Sequence, residues 1–468
     1  MMKGNWNKLL SNLPLLIALA AVAALALWWA SGTGEGLKLR IPGTDAAPGG
    51  QTGGANPVLA GELTLGDGQP ADLPGHWPQF RGLQRDGLAP EAQGFSRDWT
   101  TSPPRELWGL DVGEGYAGVA VRDGRVYLLD YERDAKLSVL RCLSLADGKE
   151  IWRFAYPLTI KRNHGMTRTV PTLSGSYLIG LDSKCNVFCL DATNGELKWT
   201  ISLVREFGAT VPEWYASQCP LVAGDQVILA PGGKDALLLA VDLATGKPLW
   251  QTPNPRGWKM THSSIAPVEF AGRKLYVYCA SGGVVGVDAA DGALLWDTSD
   301  WKISIATVPT PVPLPDGKLF LTGGYNAGSL MLQLEEQEGK ITAKTLFRLP
   351  PEIFGATQHT PIFKDNHLYG ARADGRFVCL DLEGKVVWAS GPGETFGLGS
   401  FLIAGDLIYA VNDSGRLRLL EATPAQFNLL GQLQVLKGRE SWGPMSLAGD
   451  RLFLRDLTRL VCLHVGAQ

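Results

Sequence analysis

Val241–Trp250 reads V-D-L-A-T-G-K-P-L-W: a β-patterned run, a glycine-centred turn and a second run that ends on tryptophan. The pattern returns at Leu143–Trp152 (L-S-L-A-D-G-K-E-I-W), Leu190–Trp199 (L-D-A-T-N-G-E-L-K-W) and Val287–Trp296 (V-D-A-A-D-G-A-L-L-W). A copy one residue shorter stands at Leu380–Trp388 (L-D-L-E-G-K-V-V-W). Each copy carries the signature of a β-hairpin. Its glycine supplies the positive φ of the turn, after a mostly polar turn former such as Asn194 or Asp291. A tryptophan at one register predicts a large apolar plate wedged between successive units, structural in role.

A second element recurs from Arg105 onward, a small turn that opens a strand. Its copies are Asp123–Leu129, Ser174–Gly180, Ala223–Leu229, Ala271–Val277, Asp316–Thr322, Asp365–Ala371, Ala404–Ala410 and Ala448–Leu454, which makes eight units spaced 39 to 51 residues apart. That spacing is the period of a four-stranded propeller blade. Most copies follow a short strand such as Thr169–Leu173 or Cys219–Val222 and precede the tryptophan hairpin, so each unit supplies four strands. The eighth unit ends at Val461–Val465 with no fourth strand, while Leu107–Asp111, with Trp108, stands alone before the first unit. An N-terminal strand that completes the last blade would latch the ring and remove its open edges. The fold class is therefore all-β, an eight-bladed propeller of four-stranded blades closed by that strand and preceded by one hydrophobic helix. The fifth and seventh units carry Lys344–Phe347 and Phe427–Leu430 where the others carry tryptophan, and are expected to be the loosest.

A net charge of −3 with interspersed signs, and no Lys/Arg stripe, excludes nucleic acid as a partner. Of seven cysteines, Cys142, Cys189, Cys379 and Cys462 share one slot before a leucine, which predicts small buried apolar residues. Cys185 and Cys189 flank a short run but form no zinc pattern. Leu13–Ala30 is almost wholly apolar, follows Lys3 and Lys8 and ends in Trp28–Trp29. It is read as a membrane anchor in preference to a cleaved signal segment, which places the bulk of the chain outside the cytoplasm. The domain plan is an anchor or signal segment over 1–30, a Gly/Pro-rich flexible linker over 31–75, an entry segment packing on the propeller over 76–104, and the propeller over 105–468.

The D-x-x-x-G-x-x-x-W hairpins in eightfold array resemble those of the pyrroloquinoline-quinone-like (PQQ-like) propeller superfamily, and the similarity runs from about Trp77 to the C-terminus. W-P-Q-F-R-G at Trp77–Gly82 with R-D-G at Arg85–Gly87 is similar to a bacterial branch of PQQ-like repeat proteins. The resemblance implies one of two roles. Quinoprotein dehydrogenases of the superfamily hold PQQ and calcium, and non-catalytic scaffolds such as the outer-membrane assembly lipoprotein bind other proteins. The adjacent cysteine pair that many such dehydrogenases place against the quinone is absent here, as is a C-x-x-C-H haem motif.

The loops that follow each tryptophan hairpin gather around the central channel of a propeller, where loops on a rigid ring usually bind. Candidate funnel-face residues in them are Arg168, Trp214, Tyr215, Gln218, His262, His359 and Trp442. His164, His262 and His359 read as solvated or backbone-bonded loop histidines, and Glu206 and Glu213 are the acids a cation would draw on. No G-x-S-x-G, H-E-x-x-H or P-loop stands in a suitable context. The sequence thus reads as a non-catalytic binding scaffold of the cell envelope. Its partner is another protein, it touches the membrane through its N-terminal helix, it is anchored at the inner membrane or secreted if cleaved, and no cofactor is expected. The alternative is a periplasmic alcohol or sugar dehydrogenase dependent on PQQ and calcium.

Overall fold

The computed structural model describes residues 4–30, 55–89 and 94–467. Gly4–Ala30 is one helix of 27 residues with Pro14 inside it. Among the described residues no helix is long and apolar enough to cross a membrane, and the structure gives the expected anchor no support.

The remaining described residues form an all-β propeller of eight antiparallel sheets with four core strands each. Blade 1 is built from Val119–Arg122, Arg125–Glu132, Leu137–Ser144 and Glu150–Pro157, in order from the channel outward. Blades 2 to 7 repeat that order, and innermost strands touch between blades 8 and 1, 1 and 2, 2 and 3, and 4 and 5. Blade 8 takes Ser446–Ala448, Arg451–Arg455 and Arg459–His464 from the C-terminal end and Arg105–Asp111 as its outer strand, antiparallel to Arg459–His464. Arg459 fixes this pairing from the side through Glu106 (2.8 Å) and Asp111 (3.2 Å).

Each tryptophan sits at one register, opposite Cys142, Cys189, Ala240, Gly286 or Cys379 on the neighbouring strand, and a bulge follows that pair toward the turn. Trp108 takes the same place in blade 8, opposite Cys462. The four cysteines of the shared slot thus lie beside the plates, buried, with all seven thiols free. The plate of one blade lies against the hairpin turn of the next. A Cβ built on Gly246 (φ +70°) would fall 2.7 Å from Trp199 Cδ2, and one on Gly148 (φ +72°) 2.6 Å from Trp108 Cε3. Glycine is required there twice over, by the left-handed backbone and by the ring. Where the indole reaches a carbonyl of that turn it donates to it: Trp152 to Thr193 (3.0 Å), Trp199 to Leu243 (2.9 Å), Trp388 to Thr423 (2.8 Å) and Trp108 to Leu145 (3.2 Å). The last bond crosses from blade 8 to blade 1.

The two units without the tryptophan are not simply loose. In blade 5, Phe347 takes the register opposite Met331, and both outer strands, Gly328–Gln337 and Lys340–Leu349, extend to ten residues. In blade 7 the register falls on Gly431, opposite Leu419. Trp99, 7% exposed, lies over that glycine with its Cβ 2.9 Å from where a side chain would begin, and packs on Tyr409 at 6.2 Å. The entry segment therefore supplies the plate that blade 7 lacks.

The linker expectation holds for none of the residues that are described. Residues 31–54 lie outside the described residues. From Asn56 the chain is built into the propeller: Asn56 bonds Thr200 (3.1 Å), and Glu62–Leu65 adds a fifth, outer strand to blade 1, antiparallel to Glu150–Pro157. Four residues of E-L-T-L were too short to read as a strand, and the open outer edge of blade 1 supplies the missing partner. The chain then crosses the channel. Trp77 bridges Val121 of blade 1, the Pro78 carbonyl accepts from Leu173 of blade 2 (2.8 Å), and Leu88–Ala89 pairs in parallel with Phe401–Ala404 of blade 7.

Two measurements test this packing. Trp250→Ala and Trp99→Ala each remove a buried plate, and each is expected to lower unfolding free energy by roughly 3–5 kcal/mol in urea titrations; an unchanged midpoint for Trp99→Ala would show that blade 7 does not use it. Deleting Arg105–Asp111 opens blade 8 and is expected to lower the melting temperature more than either substitution.

Candidate functional site

The loops that enter the innermost strands form a funnel, and the crossing entry segment closes it. A cavity of about 380 Å³ lies there, with Trp77, Phe80, Arg81 and Gly87 of the entry segment in its lining. Every blade gives a side chain to the wall, among them Tyr116, Arg168, Trp214, His262, Ala306, His359, Leu398 and Trp442.

Arg81 fixes the floor. Its guanidinium donates to four carbonyls: Arg85 (3.1 Å), Asp86 (2.7 Å), Thr360 (2.7 Å) and Pro361 (3.0 Å). Arg85 ties the other side to blade 3 through Pro220 (3.0 Å) and Cys219 (3.2 Å). Burial pulls both guanidinium pKa values down to about 10, and both remain cations at neutral pH.

On the wall, Arg168 donates to the carbonyls of Gly165 (2.7 Å) and Asn163 (3.3 Å), with its guanidinium 5.3 Å from the centre of the Tyr116 ring. Tyr116 stacks on Trp442 at 5.3 Å and donates its hydroxyl to Glu440. Trp442 donates to Asp413 (2.6 Å). Across the funnel Trp214 lies 6.0 Å from the His262 ring. Burial first, and then Arg168, push His262 down to about 3; its ring bonds the Tyr215 backbone, while its Nδ1 has no partner. His359 is pushed down to about 4, again chiefly by burial; its Nε2 meets the Ala371 backbone (2.7 and 3.0 Å), and its ring sits edge-on to Phe401 at 5.5 Å. His164 joins the rim with a left-handed backbone, φ +55°.

Of the seven residues read from the sequence, Arg168, Trp214, His262, His359 and Trp442 line one cavity. Tyr215 and Gln218 do not. Tyr215 has φ +70°, which turns its buried ring away from its neighbour Trp214 and lets its hydroxyl donate to Lys161 (2.6 Å). Gln218 is 1% exposed, and its amide closes both ends on the Ala230 backbone, 2.8 and 2.9 Å. The acids considered for a cation are elsewhere too: Glu206 accepts from the Ser202 amide at the start of the short helix Leu203–Phe207 (2.7 Å), and Glu213 is exposed outside the lining. Among the described residues no cluster of three His, Cys, Asp or Glu is placed to hold a metal. The floor residues Trp77, Phe80 and Arg81 escaped the sequence reading, since their contacts are with residues far along the chain.

Such a site binds and orients. Its wall carries aromatic faces and fixed cations, and its two buried-ring histidines, His262 and His359, are neutral at pH 7. The fold and the funnel define an eight-bladed β-propeller. Sequence comparison matches residues 136–302 to the family described as outer membrane protein assembly factor BamB. Among solved structures, BamB from Moraxella catarrhalis has a TM-score of 0.54 at 14% identity, covering 77% of this chain and 99% of that one. The computationally designed Ika8 protein has a TM-score of 0.51 at 11% identity, covering 76% and 99%. The quinohemoprotein alcohol dehydrogenase from Comamonas testosteroni has a TM-score of 0.48 at 12% identity, covering 85% and 82%. No curated protein matches the chain in sequence. The family match covers about a third of the chain, and the solved structures show that the fold is shared.

The two buried histidines give the site a pH signature. The unfolded chain protonates them near pH 6.5, whereas the folded chain resists until about pH 3 to 4. Below about pH 6.5 the unfolded state binds more protons, so their contribution is full at neutral pH and is lost as pH falls. The parent is expected to lose stability between about pH 7 and pH 5, and the double variant His262→Gln/His359→Gln to lose less, read as urea midpoints at the two pH values.

Proposed function

We propose that this protein is a non-catalytic binding scaffold of the cell envelope whose funnel is its working face. The observation that carries the reading is the chemistry of the lining: it contains arginine, histidine and many aromatic residues, and no Asp or Glu. A quinoprotein dehydrogenase of the calcium-dependent kind asks for oxygen ligands, carboxylates among them, and a carboxylate base beside the alcohol. The donor set present fits neither requirement. Two of the three lining histidines do not replace the base, because each sits beside an arginine and is held by a backbone group, His262 by Tyr215 and His359 by Ala371.

Three features support binding. The funnel is open, it draws on all eight blades, and two of its aromatic residues are held by hydrogen bonds, Tyr116 to Glu440 and Trp442 to Asp413. Rigid aromatic surfaces on fixed loops lose little entropy on association. The match to a family named for outer membrane protein assembly, and the likeness to BamB, support a protein partner and an envelope location.

A photocrosslinking residue placed at Trp214, compared with one at the exposed outer-strand residue Leu249, tests the working face in intact cells. A discrete adduct is expected from the funnel position and not from the outer edge; adducts from the outer edge alone would overturn the choice of face. Titration with PQQ and Ca²⁺ is expected to give no binding heat and no dye-linked alcohol oxidation, and micromolar binding with turnover would establish the dehydrogenase instead. Cell fractionation is expected to find the chain in the periplasm or a membrane fraction, and recovery from the cytoplasm would refute the envelope assignment.

A further inference from the structure

Blade 1 ends on a strand that is itself unfinished. Glu62–Leu65 pairs on one side with Glu150–Pro157, and no described strand pairs with its other side. All four of its residues are exposed, Leu63 to 40% and Leu65 to 74%, and Leu59 just before them is exposed to 65%. Folded proteins blunt such edges with charge, proline or a covering segment. Other outer strands of this ring do so: blade 5 carries Lys340, Lys344 and Arg348, blade 8 carries Arg105, Glu106 and Asp111, and blade 3 opens on Pro248. Leu63-Thr64-Leu65 has none of these devices.

The direction of the backbone groups decides what can pair there. The Gly66 amide donates inward to the Ile151 carbonyl (2.9 Å). Backbone groups alternate in direction along a strand, so those of Thr64 also point into blade 1, and those of Leu63 and Leu65 point out. A two-fold axis through Thr64 sets Leu63 opposite Leu65 of a second copy, and Leu65 opposite its Leu63. Outward groups then meet outward groups as hydrogen-bonded pairs. The register one residue shorter sets Leu63 against Thr64, whose groups point away, and is excluded.

The side chains agree with this register. Leu63 and Leu65 share one face of the strand, so the two copies bring all their edge leucines together on that face. The cluster starts from packed ground, because Leu63 Cδ1 lies only 2.6 Å from where a Cβ on Gly195 of blade 2 would stand. At the axis Thr64 meets its own counterpart, a favourable cross-strand pair. The contact also continues an interface already present, since Glu62–Leu65 is a strand added to the edge of blade 1.

We propose that this protein forms a two-fold dimer through Glu62–Leu65, joining two blade 1 sheets edge to edge. None of the residues from Leu59 to Leu65 lines the funnel, so the pairing goes beyond the funnel reading and stands or falls separately from it. A dimer offers two funnels to one partner, which raises avidity without any new contact.

The test uses the full-length protein in detergent. Sedimentation velocity over a wide range of concentration is expected to show a dimer that dissociates on dilution. Leu65→Pro removes an outward amide while leaving the inward ladder intact, and is expected to weaken the dimer by about tenfold. Across the axis the Thr64 Cα atoms lie about 4.5 Å apart, within reach of a disulfide. All seven native cysteines are buried, so oxidation is expected to yield a covalent dimer from Thr64→Cys. Leu63→Cys and Leu65→Cys are expected to stay monomeric on a reducing-agent-free gel, because each lies two residues out of register with its own counterpart. If Leu65→Pro melts early, the cysteine series decides. A monomer at every concentration overturns the proposal, as does a crosslink at 63 or 65 in place of 64. A dimer that survives Leu65→Pro and leaves Thr64→Cys uncrosslinked also overturns it, and places the association elsewhere on the chain.

Discussion

The contact on which the ring depends is a tryptophan of one blade lying flat against the glycine turn of the next. Its two halves are of different kinds. The indole supplies area, and removing it leaves a void that the surrounding strands cannot close. The glycine supplies nearness, since any side chain at Gly246 or Gly148 would occupy the space of the ring. In repeat architectures each unit is stable only through its neighbours, so this one contact, made again and again, sets both the spacing and the angle between blades. It also explains how the ring closes. Trp108 is far from blade 8 in sequence, yet it occupies the plate position of that blade and meets Gly148 and the Leu145 carbonyl of blade 1. The closing joint therefore differs from the others in chain connectivity but not in chemistry.

Blade 7 shows how strict the requirement is. With Gly431 at the plate register the blade has no ring of its own, and the entry segment brings in Trp99 from outside the repeat. Arg97 pins that segment through Asp406 and Glu421, both belonging to the same blade, while Phe95 bridges Gly466 beyond the last strand. A mixed surface network of this kind adds little by itself. Its effect is to hold Trp99 at the place where burial does the stabilising.

What the sequence made legible is whatever was local. A hairpin, its turn glycine and its tryptophan lie within ten residues, so repetition at Val241–Trp250 and its copies exposes the fold, and the eight turn-and-strand copies give the blade count. The funnel was legible to the same depth: the loops between hairpins could be located, and Arg168, Trp214, His262, His359 and Trp442 do line one cavity. Tyr215 and Gln218 stand in the right loop and yet face the core, because a positive φ at Tyr215 and the backbone of Ala230 decide their direction. Side-chain direction in an irregular loop has no period to betray it. The entry segment failed for a different reason. Arg81 and Arg85 read as charges near Pro and Gly, and their partners, Thr360, Pro361, Pro220 and Cys219, are over a hundred residues away. One signal was available: Trp99 stands outside every unit, and one unit carries glycine in the tryptophan slot.

The entry segment makes the fold and the site inseparable. An open propeller channel is wet, and a cation on its wall would be screened by water. Here Trp77, Phe80 and Arg81 lie in the lining, and Arg81 holds four carbonyls from the entry segment and the start of blade 6. The same peptide that completes blade 7 with Trp99 thus also lines the funnel. Trp99 and Arg81 belong to one short stretch of chain, so the joint that completes blade 7 also fixes the floor of the funnel.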